Sequence, residues 1–260
     1  MRLLAFSLLL SLGALAQAPP RILQIYQDQL KLGAVARYEQ IEAGASQSCR
    51  DRKCPNPYLA IRSVSGLGEV WFLNGYDSFA TMERVWEQYS QNAPLTADLN
   101  RVAEMKADLV FQPRTILARY REGLSRESGT PFSRMRYVAI ETVGVRPGAI
   151  DDYEQARLIA KAAHEMAKSP EGHLVYQAVS GTLDGAFFIL TPMRSVQELE
   201  TVRGHNRQRD AKLLELLRNS VVSSETALFA VSAPMSYPAQ EWVGADPGFW
   251  SGKPHADAPQ

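Results

Sequence analysis

Residues 136–155 read RYVAIETVGVRPGAIDDYEQ, and residues 21–40 read RILQIYQDQLKLGAVARYEQ. Each is an extended apolar run, then a glycine, then the start of a helix carrying Tyr-Glu-Gln. Gly33, Tyr38, Glu39 and Gln40 stand in one register with Gly148, Tyr153, Glu154 and Gln155. The same shift brings Val64-Ser65-Gly66 onto Val179-Ser180-Gly181. Two blocks in a single register across both halves mark an internal duplication, which constrains architecture more tightly than any short motif.

Working outward, residues 22–27 alternate with period two, Leu23 and Ile25 on one face and Ile22, Gln24 and Tyr26 on the other, as a strand does. Gly33 breaks the strand, and 34–45 reads as a helix with Val35, Tyr38 and Ile41 on its apolar face. Residues 58–64 and 70–73, joined by Ser65-Gly66-Leu67-Gly68, read as a hairpin. A helix starts at Asp77 or Ser78, Pro94 interrupts, a helix resumes at Thr96, and 116–120 is a fourth strand. The second half repeats the order: strand 137–143, helix 149–168, hairpin 174–179 and 186–190, helical segments after the capping box Ser195-x-x-Glu198, and strand 227–231. The expected fold is α+β: two ferredoxin-like β-α-β-β-α-β units in tandem, forming an intramolecular α/β barrel. The first unit takes residues 19–120 and the second 136–232. A polar linker, 121–135, joins them, and a Pro/Gly-rich tail fills 233–260.

The N-terminus reads as a signal peptide over residues 1–18. Arg2 supplies the positive charge, 3–15 the apolar run, and Ala16-Gln17-Ala18 the cleavage signal. The run is short of the roughly 20 apolar residues of a membrane span. The mature chain is therefore expected to be secreted or periplasmic, with no span after cleavage. In that oxidising setting Cys49 and Cys54 read as a disulfide closing a short loop. With 28 Lys and Arg against 28 Asp and Glu, interspersed, nothing electrostatic points to nucleic acid as a partner.

The strand-Gly-helix openings Leu32-Gly33-Ala34 and Pro147-Gly148-Ala149, the Tyr-Glu-Gln and the hairpin Val-Ser-Gly resemble the dimeric α/β-barrel superfamily. That superfamily includes antibiotic-biosynthesis-monooxygenase-like, NIPSNAP-like and EthD-like domains. The resemblance implies a pseudo-dimer whose two sheets enclose a small cavity, and among its members are cofactor-independent monooxygenases and haem proteins. It carries over no catalytic residue, because no motif here matches one.

With Leu23, Ile25, Val138 and Ile140 turned to the helices, the alternation sends Gln24, Tyr26 and Glu141 into the space between the sheets. Tyr58, Arg62, His173 and Gln177 occupy paired positions on the hairpins, and Arg119 joins them from the fourth strand. Such a polar set reads either as a small-molecule site or as a solvent-wetted sheet edge with structural ion pairs. A slip of one residue would reverse the faces. His164-Glu165 opens like a zinc-protease helix motif, but Lys168 stands where the second histidine is required. The scattered histidines make no metal constellation, and no cofactor is expected; His205 is the one residue read as a haem ligand if its helix borders the cavity. Trp242, Phe249 and Trp250 read as pins for an extended tail or as a clasp for a ligand or partner. Three functions stay open: an exported small-molecule-binding protein, a cofactor-independent oxygenase using groups such as Tyr26, Arg62 and Glu141, and a partner-binding module using the aromatic tail. Protein recovered from an export-competent host should begin at Pro19 by N-terminal sequencing, whereas an intact Met1 would show an uncleaved segment.

Overall fold

The computed structural model describes residues 18–169, 171–200 and 210–251. Residues 1–17, which cover nearly all of the expected signal peptide, His205, His255 and the end of the tail lie outside the described residues. The first half runs β1 (Ile22–Leu30), α1 (Val35–Arg52), β2 (Tyr58–Ser63), β3 (Glu69–Tyr76), α2 (Phe79–Gln91), α3 (Ala93–Lys106) and β4 (Val110–Tyr120). The second runs β5 (Tyr137–Val145), α4 (Ile150–Met166), β6 (Leu174–Ser180), β7 (Ala186–Met193), α5 (Ala211–Ser220) and β8 (Val221–Val231). Two short helices follow, α6 (Gln240–Ala245) and α7 (Pro247–Trp250). Among the described residues no helix is long and apolar enough to cross a membrane.

All neighbouring strands are antiparallel and close into one barrel in the order β1-β3-β2-β8-β5-β7-β6-β4. Each unit supplies four consecutive strands of it, and the seams are β2 on β8 and β4 on β6. Closure removes the open edges that two separate four-stranded sheets would expose. The duplication is visible in the backbone: Gly33 and Gly148 have φ of 80° and 79°, and Gly66 and Gly181 have 86° and 88°. These are left-handed turn positions that favour glycine. Pro94 departs from expectation. It sits in the first turn of α3, where its missing N–H costs nothing, and Asn92 caps that helix by accepting from Leu95 N at 3.2 Å. The proline starts a helix rather than interrupting one.

The barrel interior is apolar. Leu23 and Ile25 of β1 meet Ile61, Trp71, Ile116, Ile140, Phe188 and Phe229 in one buried cluster. The Trp71 ring lies 4.9 Å from Phe229 and 6.1 Å from Phe188, so strands of both units share one aromatic layer. The outer faces take the helices. Tyr38 of α1 packs on Ala60, Val70 and Phe72, and its repeat partner Tyr153 of α4 packs on Val143, Val175 and Phe187. Cys49 and Cys54 form the expected disulfide at the end of α1.

The tail is not extended. Residues 233–237 are tied to β2 and α1: Ser236 Oγ accepts from Ala60 N at 2.9 Å, and Tyr237 and Tyr58 exchange backbone hydrogen bonds. The chain then folds into α6 and α7, and Trp250 joins the barrel core, its indole donating to Ser133 O at 2.9 Å. Because both units wall the same core, Phe229→Ala should destabilise the whole barrel by about 3–5 kcal/mol. Denaturant unfolding should still show one transition for probes in either half.

Candidate functional site

The polar residues expected between the sheets face the other way. Gln24 is buried under the helices of the first unit, accepting from Tyr76 Oη at 2.9 Å. Tyr26 is partly exposed on the same outer face, and the Tyr58 ring stands edge-on to Phe72 at 5.9 Å. Arg62 pairs with Glu39 of α1 at 2.9 Å, and Arg119 lies over the Phe79 ring. Glu141 accepts from Ser224 Oγ at 2.9 Å. His173 packs under the linker with Nε2 3.3 Å from Leu124 O, and Gln177 accepts from Arg121, whose other nitrogen reaches Glu154 at 2.6 Å. The correction has one cause. Both faces of each strand are apolar enough to be buried, so alternation shows that there are two faces but not which is drier. The middle of the space between the two sheets is closed off by strands on all sides and takes Leu23, Ile25, Val138 and Ile140; the outer face, only partly roofed by helices, tolerates the polar set.

Two of those residues, Tyr26 and Tyr58, do line a cavity. It is a cleft of about 570 Å³ between the outer face of the first sheet and α1, α2 and α3. Tyr26, Tyr58, Phe72 and Tyr76 rise from the strands, and Trp86 and Tyr89 face them from α2. Asn74, Asp28, Glu42 and Lys106 supply the polar groups. Ligand pockets typically span about 300–1,000 Å³, mostly apolar with a few convergent polar groups, and this cleft matches that description.

The floor of the cleft is charged. Asp28 and Glu42, 7% and 5% exposed, both accept from Lys106 Nζ, at 2.7 and 2.6 Å, and Tyr38 Oη donates to Asp28 at 2.5 Å. Burial raises the Glu42 pKa, and the Lys106 ammonium only partly offsets it. For Lys106 burial pulls downward, but Glu42 and Asp28 outweigh it and hold the pKa above its ordinary value. Burial also lifts the phenols of Tyr26, Tyr58 and Tyr76, and Tyr89 is pushed up to about 12. They remain protonated and able to donate hydrogen bonds near neutral pH. Two carboxyl groups facing one ammonium leave the floor with an excess of acid, which favours a ligand bringing a proton donor or a positive charge.

Sequence reasoning missed Asp28, Glu42, Asn74, Trp86, Tyr89 and Lys106. The available signal was Glu42 itself, which shares a helix face with Val35, Tyr38, Ala45 and Cys49. Where the first unit has Asp28 and Glu42, the repeat register places Val143 and Arg157 in the second. The charged floor therefore belongs to one unit alone.

No protein-family model matches the sequence, and no curated protein does. Solved structures do match. A candidate monooxygenase from Fusobacterium nucleatum aligns at a TM-score of 0.53 with 10% identity, over 83% of this chain and 93% of that one. An anthrone oxidase-like protein aligns at 0.52 with 12% identity, over 83% and 92%. A chlorite dismutase variant from Candidatus Nitrospira defluvii, in complex with cyanide, aligns at 0.51 with 10% identity, over 83% and 92%. The chain has the dimeric α/β-barrel fold. In this barrel both halves lie on one polypeptide.

Haem, which that resemblance allows, finds no axial ligand of histidine, methionine or free cysteine in this cleft. The cleft of the tandem barrel is lined by no histidine or methionine, and its cysteine is the disulfide-bonded Cys49. His173 is packed against Leu124 O and the His164 ring. Among the described residues no group of three His, Cys, Asp or Glu is placed to hold a metal ion.

Removing the ammonium tests the charged floor. Lys106→Met leaves two buried carboxyl groups without their cation and should cost about 3–5 kcal/mol at pH 7. Without the ammonium that partly offsets its burial, the Glu42 carboxyl is held further above its ordinary value, so the penalty should shrink as pH falls from that raised value to the ordinary carboxylate range, where the group is protonated in the folded and unfolded chain alike. Urea midpoints of wild type and variant at pH 7 and pH 4 measure the difference; an equal gap at both would remove the electrostatic explanation.

Proposed function

We propose that the protein is an exported small-molecule-binding protein whose ligand is a flat aromatic compound bearing a hydroxyl or protonated amine. The observation that carries this reading is the first unit's cleft: six aromatic side chains, Tyr26, Tyr58, Phe72, Tyr76, Trp86 and Tyr89, over an acid-rich floor of Asp28, Glu42 and Lys106. Aromatic side chains on both the strand and the helix wall suit a flat ring, and the floor receives the donor end of the ligand. Export rests on the apolar N-terminal run and the Ala16-Gln17-Ala18 signal, and agrees with a disulfide in the mature chain.

A cofactor-independent oxygenase is the second reading. Glu42 supports it as a buried carboxyl with a raised pKa beside an ammonium, a group suited to accept a proton from a bound phenol or an activated methylene. The anion so formed would be held by Lys106 and react with dioxygen; a methylene becomes a carbonyl, and the second oxygen leaves as water. Fold likeness to proteins named as monooxygenases and an anthrone oxidase-like protein agrees with this chemistry.

Titration with naphthols, hydroxyanthraquinones and aromatic amines, followed by Trp86 fluorescence, tests binding. Saturable quenching is expected, weakened at least tenfold in Tyr89→Ala and absent from Trp86→Phe. A flat response across the panel would overturn the cleft as a site. Oxygen uptake with anthrone that disappears in Glu42→Gln would establish the second reading over simple binding.

A further inference from the structure

The two ends of the barrel are built differently. At one end the inward positions are polar: Gln27, Gln29, Glu69, Gln112, Arg114 and Glu225 ring a solvent-filled mouth above Trp71. Glu69 there accepts from the Trp71 indole at 2.8 Å. At the other end they are mainly apolar, Leu59, Leu73, Val138, Leu174 and Leu190 beside Tyr176, with Met135 from the linker. An eight-stranded barrel is just wide enough for its side chains to fill. The middle layer fills it with Trp71, Phe188 and Phe229, but leucines and valine in the next layer fall short and leave a cavity of about 170 Å³.

That gap has a purpose-built cover. The chain passes over it between two firm anchorages. Tyr237, hydrogen-bonded to Tyr58 on β2, lies on one side, and Trp250, packed in the core and bonded to Ser133 O, lies on the other. Between them α6 lays Trp242 across the opening, where it meets Phe132 of the linker at 5.9 Å. The Arg136–Asp246 ion pair and Arg136 stacked 3.7 Å from the Phe249 centroid hold the far end of α6 in place.

We propose that this capped end is a second binding site, for an uncharged apolar molecule the size of one or two fused rings, admitted by displacement of α6 and covered by Trp242. The size class follows from the volume: an apolar cavity of roughly 150 Å³ binds benzene. An uncharged ligand follows from the lining, which is mostly leucine, valine, methionine and aromatic side chains; its one carboxylate, Asp77, stands just beyond the end of β3. This site is separate from the helix-side cleft, so either can fail without the other.

The test uses the full chain with methyl-labelled Leu, Val and Met, titrated with toluene and naphthalene and followed by NMR. Saturable shifts are expected for the methyls of Leu59, Leu73, Val138, Leu190 and Met135, with Leu99 and Val102 of the helix-side cleft unmoved. Val138→Phe fills the space and should weaken binding at least tenfold. Trp242→Ala removes the cover, leaves the barrel wall intact, and should raise the dissociation rate at least tenfold. Should Val138→Phe fail to fold, Leu59→Met with the Trp242 variant decides the point. No saturable shift in wild type, shifts confined to Leu99 and Val102, or unchanged rates in Trp242→Ala would each overturn the proposal.

Discussion

The structure depends on the burial of two open sheet faces against each other. A ferredoxin-like unit covers one face of its four strands with helices and leaves the second bare. In water that second face, carrying Leu23, Ile25, Ile61 and Trp71 in one unit and Val138, Ile140, Phe188 and Phe229 in the other, would be a large apolar patch. Tandem duplication puts the complementary face on the same chain, and the seams β2–β8 and β4–β6 close the ring without a second molecule. Everything else is arranged around that dry centre: helices outside, polar residues at one mouth, and the folded tail over the other.

Once closure is secured, the outer layers are free to diverge, and they have. Both units keep the buried tyrosine and the glutamate that follows it. Glu39 meets Arg62 of its own sheet, whereas Glu154 meets Arg121, because Gln177 stands where the repeat would place the arginine. A guanidinium is delivered to the same place from a different part of the chain. Under the tyrosines the units part company. Tyr38 donates to Asp28 within a network completed by Glu42 and Lys106, while Tyr153 lies among Val143, Val145 and Phe187, its hydroxyl without a hydrogen-bond partner among the described residues. A tyrosine needed only for packing would not require the acids, so the charged floor is a specialisation added to a shared frame.

The cleft and the capped barrel end lie on opposite faces of the same strands, and Tyr58 and Tyr76 border both. Tyr58 is also the residue that receives the returning tail at Tyr237. The segment that leads into the cover over the barrel end is thus tied to a wall of the cleft by backbone hydrogen bonds. His173, held neutral by burial with its pKa lowered to about 3, packs under the linker in the second unit.

The sequence by itself determined the duplication, the order of strands and helices, the turn glycines and the disulfide. All of these rest on short-range rules: period-two alternation, left-handed turn positions and the proximity of Cys49 to Cys54. It left undecided which strand face pointed inward, because Leu23 and Ile25 and their neighbours Ile22 and Tyr26 satisfy burial equally well when read along one strand. Only the tertiary structure decided this, since the dryness of a face is a property of what closes over it, here a second sheet rather than helices. The cleft was hidden for the same reason: Asp28, Glu42 and Lys106 come from a strand and two helices far apart in the chain, and their charges acquire meaning only where the fold brings them within hydrogen-bonding distance.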